Sequence, residues 1–297
     1  MTPGKTLLGL ILIAAAVLLI NRFGGNEIEI ATVSSPGDID LSEYGFVIDF
    51  IDVGQGDCEL LRSGDSVVLI DGGENEYASK VNAYLRKCGV DKIDCYIATH
   101  PHSDHIGAAP GILKNFGAGT VITTAFSDTN IPVTSTYERF LDACDSFADE
   151  YVEVTAGDKF SFGDIKLEIL APYEESEEYN NMSVCCLVTC KGTKAMLCGD
   201  AGKEIENAIL EKGTDIKADI FKVSHHGSRS SNSKQFTEKI DPSVCVICCG
   251  NDNSYGHPHN ETVSTLSTLG ITPLRTDKNG SITVCCKGNK IDIRTEK

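Results

Sequence analysis

Six consecutive residues, His100-Pro101-His102-Ser103-Asp104-His105, constrain this chain more than any other stretch. They follow an apolar, strand-like run (residues 93–99) and precede Gly107. On an extended segment, side chains two residues apart point the same way. His100 and His102 can therefore grip one cation together. A turn after them lets Asp104 and His105 face a second cation nearby. Imidazole and carboxylate are donors that suit zinc, manganese or iron. A chance surface cluster fits poorly, because the donor types crowd into a single loop after a strand.

Three further loops after apolar runs carry ligand-type residues. Cys198-Gly199-Asp200 puts a carboxylate behind the run 195–198, where its two oxygens could bridge two cations. The alternative is an N-cap for a helix over 203–211. Ser224-His225-His226-Gly227-Ser228 follows a run over 219–224, and Tyr255-Gly256-His257-Pro258-His259 follows one over 244–249. Strand alternation does not decide which of His225 and His226 faces inward. These loops and the first run hold all 7 histidines, so none is left for a scattered surface role.

The pattern between these loops predicts an α/β domain. Strands are expected over 46–53, 58–62, 67–71, 93–99, 166–170, 184–190, 195–198, 219–224 and 244–249. Helices are expected over 75–87, from about Ile106, and over 203–211, 232–239 and 261–269. A hairpin over 281–287 and 290–294 turns at Gly288-Asn289. Hairpins with interspersed helices suggest two sheets packed face to face with helices outside.

Residues 1–22 read as a membrane anchor or signal segment, because 6–20 is almost wholly apolar between Lys5 and Arg22. A helix over 6–21 spans roughly 24 Å, short of the ~30 Å hydrocarbon core. No good cleavage site follows the run, which favours an uncleaved anchor with the domain outside the cytoplasm, or secretion if it is cleaved. Residues 23–43 read as a linker, and the folded domain is expected over 44–297. The net charge of −17 argues against a passive, high-affinity nucleic-acid binder. It does not exclude a nuclease, since bound divalent cations reverse the field inside a cleft. The 13 cysteines sit mostly in strand-like runs and read as small buried hydrophobes rather than a disulfide framework.

The run HxHxDH with a later Gly-Asp resembles the metallo-β-lactamase superfamily. Asp52-Val53-Gly54-Gln55-Gly56-Asp57, Leu69-Ile70-Asp71-Gly72-Gly73, the His100 run, Asn181-Met182-Ser183, Gly199-Asp200, His225-His226-Gly227-Ser228 and Tyr255-Gly256-His257-Pro258-His259 stand in the order of ComEC-type competence proteins. The resemblance spans about 46–294. It implies an αββα sandwich of two mixed β-sheets, with the site at one edge. It implies two divalent metal ions, zinc or manganese. His100 and His102 would hold one, Asp104 and His105 the other, with Asp200 between them, and His226 would be a further ligand. His225 would contact substrate, and Asp71 would orient a ligand histidine. Many superfamily members place a third histidine before the Gly-Asp; here the stretch reads Asn180-Asn181-Met182-Ser183, as in the ComEC group. ComEC proteins also carry a multi-helix channel, which one short apolar segment cannot form, leaving a separate channel protein as a partner.

The function expected from the resemblance is two-metal hydrolysis of a phosphodiester, in DNA or in a small or cell-envelope molecule, by a hydroxide bridging the cations. Asp104 and Asp200 would orient the nucleophile, and His225 and His257 would stabilise or protonate the leaving group. The competing expectations are a lactonase- or glyoxalase-like ester or thioester hydrolase, and a non-catalytic, metal-stabilised module in DNA uptake.

Overall fold

The computed structural model describes residues 21–23, 26–33 and 39–297. The expected anchor, residues 1–22, lies almost entirely outside the described residues. Among the described residues no helix is long and apolar enough to cross a membrane.

The first eight strands are β1 (Asn21–Phe23), β2 (Asn26–Thr32), β3 (Phe46–Phe50), β4 (Glu59–Ser63), β5 (Ser66–Ile70), β6 (Ile93–Ile97), β7 (Ala118–Thr124) and β8 (Ala148–Val154). The next seven are β9 (Lys159–Phe162), β10 (Ile165–Ala171), β11 (Cys185–Cys190), β12 (Thr193–Leu197), β13 (Ile220–Lys222), β14 (Val244–Ile247) and β15 (Leu274–Arg275). A closing hairpin, β16 (Ile282–Lys287) and β17 (Lys290–Thr295), returns to the first sheet. The first sheet has the order β1-β2-β17-β16-β3-β4-β5-β6-β7-β8, and the second β15-β14-β13-β12-β11-β10-β9. Both are mixed: hairpin pairs such as β3–β4 and β10–β11 are antiparallel, while β5–β6–β7 and β12–β13–β14 are parallel.

The two sheets meet through one apolar layer. Phe46, Ile48 and Phe50 of β3 alternate into it and face Val188, Ala195 and Ile220 of the second sheet. The outer face of the first sheet is covered by α1 (Ala78–Lys87), the short α2 (Ser103–Ile106), α3 (Ala109–Phe116) and α4 (Ser135–Phe147). The second is covered by α5 (Lys203–Glu211), α6 (Lys234–Ile240) and α7 (Asn260–Thr268), while α8 (Thr276–Asn279) leads into the closing hairpin. This is the αββα sandwich. The cysteines behave as hydrophobes: all are free, and only Cys88 is less than fully buried.

Three differences from the sequence reading stand out. Part of the stretch read as linker is strand β2, which pairs in parallel with β17 from Glu27 to Thr32. Its alternation of Glu27, Ile28, Glu29 and Ile30 suits a strand near the sheet's margin with one face covered. Second, β7, α4 and β8 fill a region that pattern alone leaves unassigned. The signal was present in α4, where Thr134 caps the helix by accepting from the Tyr137 amide, and Tyr137, Phe140, Ala143 and Cys144 make its buried face. Third, a helical turn begins at Ser103, inside the histidine run.

Parallel pairing puts the C-terminal ends of β5 and β6 side by side, and likewise those of β12, β13 and β14. The loops leaving these five ends carry Asp71, the His100 run, Asp200, His225-His226 and the 250–259 segment.

Candidate metal centre

Each donor is placed by the way its strand ends. After β6 the chain stays extended through His102, then turns into α2, so His100 and His102 lie on extended backbone and Asp104 and His105 on a helical turn. Asp200 follows Gly199, whose φ of 49° lies in the left-handed region; a Cβ there would come within 2.9 Å of Thr99. That close approach brings the Asp200 loop of the second sheet onto the His100 loop of the first. His225 and His226 also have left-handed φ values, 51° and 52°. They stand on a tight turn, not a strand, which is why alternation could not rank them.

Four donors converge. His105 Nε2 lies 3.3 Å from Asp200 Oδ1, and His226 Nε2 lies 3.4 Å from Asp200 Oδ2 and 3.3 Å from Asp104 Oδ2. One ligand atom from each of Asp104, His105, Asp200 and His226 falls within 4.8 Å of the others. His105 Nε2, His226 Nε2 and Asp200 Oδ1 are buried without a hydrogen-bond partner. Orphaned buried polar atoms are costly. A divalent cation satisfies all three together, so this donor set fits one. The other nitrogen of each ring is tied down: His105 Nδ1 to Asp71 Oδ2 at 2.7 Å, and His226 Nδ1 to the Cys248 carbonyl at 2.9 Å. Asp71 also accepts from the Thr99 amide and hydroxyl, at 2.9 and 2.6 Å. Asp200 is not a helix cap; α5 begins after Gly202.

His100 and His102 form a second pair of donors beside this set. His100 Nε2 and His102 Nδ1 face one another at 2.9 Å, and the His100 and His105 ring centroids are 4.1 Å apart. In the Asn180–Ser183 stretch, Ser183 Oγ lies 3.4 Å from His100 Nδ1 and accepts from the Asp200 amide at 3.1 Å. Asn180 reaches the cleft, its amide 3.4 Å from His225 Nε2.

The electrostatics separate two kinds of histidine. Burial pushes His105 and His226 down, but Asp200 with Asp71 or Asp57, and Asp104, holds both well above the ordinary range. Burial pushes Asp200 and Asp104 up, yet the same two imidazoles hold both carboxyls low. Burial and neighbouring histidines push His100 well down, and burial lowers His102 and His225. His257 falls to about 4, through burial and then His226 and His225.

The donors open into a cleft of about 270 Å³ walled by Gln55, Asn180, His225, Tyr255 and His257. His257 Nδ1 lies 3.4 Å from the Gln55 amide, and the exposed ring of Tyr255 stacks on it at 5.6 Å. Eight of the residues singled out in sequence are thus gathered here: four in the donor set, His100 and His102 beside it, and His225 and His257 on the cleft wall. His259 is not among them, its Nδ1 instead accepting from the Arg229 amide at 3.1 Å outside the cleft. Sequence reasoning missed Asp57 and Lys222. Asp57 Oδ1 lies 3.2 Å from His226 Nδ1, and its other oxygen pairs with the Lys222 ammonium, both residues being buried. A lysine inside the apolar run Ile220-Phe221-Lys222-Val223 was the available signal.

The sequence model of the metallo-β-lactamase superfamily matches residues 51–250. The chain belongs to the metallo-β-lactamase superfamily. Its curated relatives include ComE operon protein 3 of Bacillus subtilis, 31% identical over 79% of this chain and 32% of that protein. Competence protein ComA of Neisseria gonorrhoeae is 25% identical over 78% of this chain and 31% of its own length. The resemblance to competence proteins is thereby borne out, and the chain spans about a third of the length of these relatives. Among solved structures, the diiron β-hydroxylase CmlA from Streptomyces venezuelae superposes with a TM-score of 0.54 at 15% identity, covering 78% of this chain and 53% of its own. YhfI from Bacillus subtilis superposes with a TM-score of 0.51 at 12% identity, covering 77% and 95%. At such identities the likeness concerns the fold alone. Within the superfamily, a metallo-β-lactamase fold with this His/Asp site points to metal-dependent hydrolysis.

Proposed function

We propose that this chain hydrolyses phosphodiester bonds with two divalent cations, zinc or manganese, held by His100, His102, Asp104, His105, Asp200 and His226. The observation that supports this is the convergence of His105 Nε2, His226 Nε2 and Asp200 Oδ1, buried and unpartnered, at the foot of an open polar cleft. Divalent cations bound there supply Lewis acidity and a water acidic enough to ionise near neutral pH. Asp104 and Asp200, both held ionised, orient the attacking water. His225, steadied by Ser230 Oγ at 3.1 Å from its Nδ1, turns Nε2 toward the cleft and contacts the substrate. His257, on the wall beside Gln55, stabilises the departing oxygen.

With a net charge of −17 the surface gives a polyanion little hold. Recognition is therefore confined to the cleft, which favours brief engagement of DNA or a small or cell-envelope phosphodiester over a stable nucleic-acid complex. The competence relatives support the DNA reading, with a separate channel protein as partner. The apolar run 6–20 supports a membrane anchor with the domain on the outer side of the membrane; cell fractionation with protease accessibility tests that placement.

The test of activity is a substrate panel. Bis-p-nitrophenyl phosphate and a short DNA should be cleaved in the presence of zinc or manganese, and a β-lactam, a lactone and a thioester should not. Asp200→Ala should remove cation binding and lower turnover about a thousandfold or more, several kcal/mol of barrier. Full metal-dependent activity in that variant, or preferred cleavage of the thioester or lactone, would sink the reading.

A further inference from the structure

We propose that Asp57 is a positioning residue of the four-donor centre and that Lys222 is the fixed charge that holds Asp57 in place. This rests on the cation centre proposed above. The motif Asp52-Val53-Gly54-Gln55-Gly56-Asp57 stands out in the sequence, yet its terminal carboxylate is not one of the four donors. Its backbone is seated against the histidine run. Gly56, with φ of 149°, has the Asp104 carbonyl where a Cβ would go, and the Asp57 amide donates to that carbonyl at 3.2 Å. Asp57 is thereby fixed behind the two imidazoles of the centre.

From there one carboxylate touches the backs of both rings. Asp57 Oδ1 is 3.2 Å from His226 Nδ1, and Oδ2 is 3.9 Å from His105 Nδ1. The opposite nitrogens, both Nε2, are those that face Asp200. Ring direction is already set by Asp71 for His105 and by the Cys248 carbonyl for His226. What Asp57 adds is negative charge behind both donors, which strengthens an imidazole as a ligand. A carboxylate so close to the centre could also turn and compete with the donors. Lys222 prevents that: its ammonium pairs with Oδ2, and both side chains are only 1% exposed. Burying an ammonium is costly, and the fold alone does not require one among Ile220, Phe221 and Val223.

The experiment titrates zinc into the whole protein against a chelating dye and records the visible spectrum of the cobalt-loaded form. Asp57→Asn keeps the shape and removes the charge. It should weaken the tightest site by about 10–100-fold and shift the cobalt bands. Because it leaves Lys222 buried without its counter-charge, it also lowers the melting temperature, a loss that the double variant with Lys222→Met should recover while the weakened zinc affinity and shifted bands persist. Lys222→Met should weaken it comparably. The double variant should be no weaker than the weaker single, because the pair acts as one unit. If Lys222→Met alone does not fold, the double variant, which removes both members of the buried pair, is compared with wild type. Wild-type affinity in Asp57→Asn or in the double variant overturns the proposal while leaving the cation centre standing, and losses that simply add overturn the role of Lys222. Absence of zinc uptake by the wild-type protein overturns both.

Discussion

His105 and Asp71 are joined back to back with the cation donors: the Nδ1 of His105 meets Asp71 Oδ2 at 2.7 Å, while its Nε2 meets Asp200 at 3.3 Å. Asp71 is fully buried and also takes the amide and hydroxyl of Thr99, the residue that launches the histidine run. One carboxylate thus sets both a ligand ring and the path of the loop that carries it. Asp71→Ala strands three buried hydrogen-bond donors. It should cost roughly 3 kcal/mol or more of stability and lower cation affinity at least tenfold. Thermal melts and zinc titrations check this; a variant that loses stability but binds zinc as wild type would confine Asp71 to a structural role.

Cation uptake should release protons, and affinity should rise with pH. Burial disfavours the charged form of His105 and His226, but Asp200 and its neighbouring carboxylates outweigh it and hold both rings protonated at neutral pH. A cation at Nε2 must displace that proton. Below the raised folded pKa, protons compete with the cation; as pH rises, the competition fades and binding tightens, by up to about two decades per pH unit where both rings titrate. His100 is already neutral, being pushed well down by burial, and releases nothing. Calorimetry in two buffers of different ionisation enthalpy counts the protons. Release of none at pH 7 would contradict the raised state of both rings.

The site was legible in sequence where chemistry restricts residue type. Few residues can serve as donors, so His100, His102, Asp104, His105 and Asp200 advertise themselves at strand ends. The fold followed where period and turns agreed, as in β3 to β6 and the closing hairpin. What stayed hidden depends on long-range pairing. The Asp57–Lys222 ion pair joins the loop before β4 to strand β13 of the other sheet across 165 residues of sequence, and though each residue is visible in its own motif, nothing local pairs them. The choice between His225 and His226 is set by a left-handed turn that no strand or helix pattern encodes.

His257 should act through its hydrogen-bonding capacity and not as a proton donor at neutral pH. Its pKa is held down to about 4 by burial and by His226 and His225. A general acid typically contributes about 10²–10⁴-fold; a neutral ring on the cleft wall should fall at or below the lower end. His257→Ala should therefore lower kcat by about a hundredfold or less, leave bound zinc unchanged, and leave the pH profile of kcat above pH 6 with the same shape. Loss of an alkaline limb between pH 6 and 8 in that variant, where a proton donor would become exhausted, would instead assign His257 the proton.

A chain beginning at Tyr44, the boundary suggested by composition, should be less stable than one that retains Asn26–Thr32. Strand β2 pairs with β17 along six positions, from Lys290–Glu27 to Thr295–Thr32. It buries Ile28 to 7% exposure against the inter-sheet core, with Ile30 packed beside it. Removing a buried isoleucine costs about 1.5–3 kcal/mol, and the cut also bares the edge of β17, where Ile291 and Ile293 lie under 3% exposed. An uncovered, apolar sheet edge is a template for pairing with another chain. The shorter chain should therefore melt several degrees lower and self-associate with concentration. Its zinc affinity should be preserved, because the donors leave the C-terminal ends of β6, β12 and β13, none of which pairs with β2. Equal melting temperatures and a monodisperse short chain would show that β2 is dispensable to the sandwich, and a loss of zinc binding would show that the strand supports the centre from a distance.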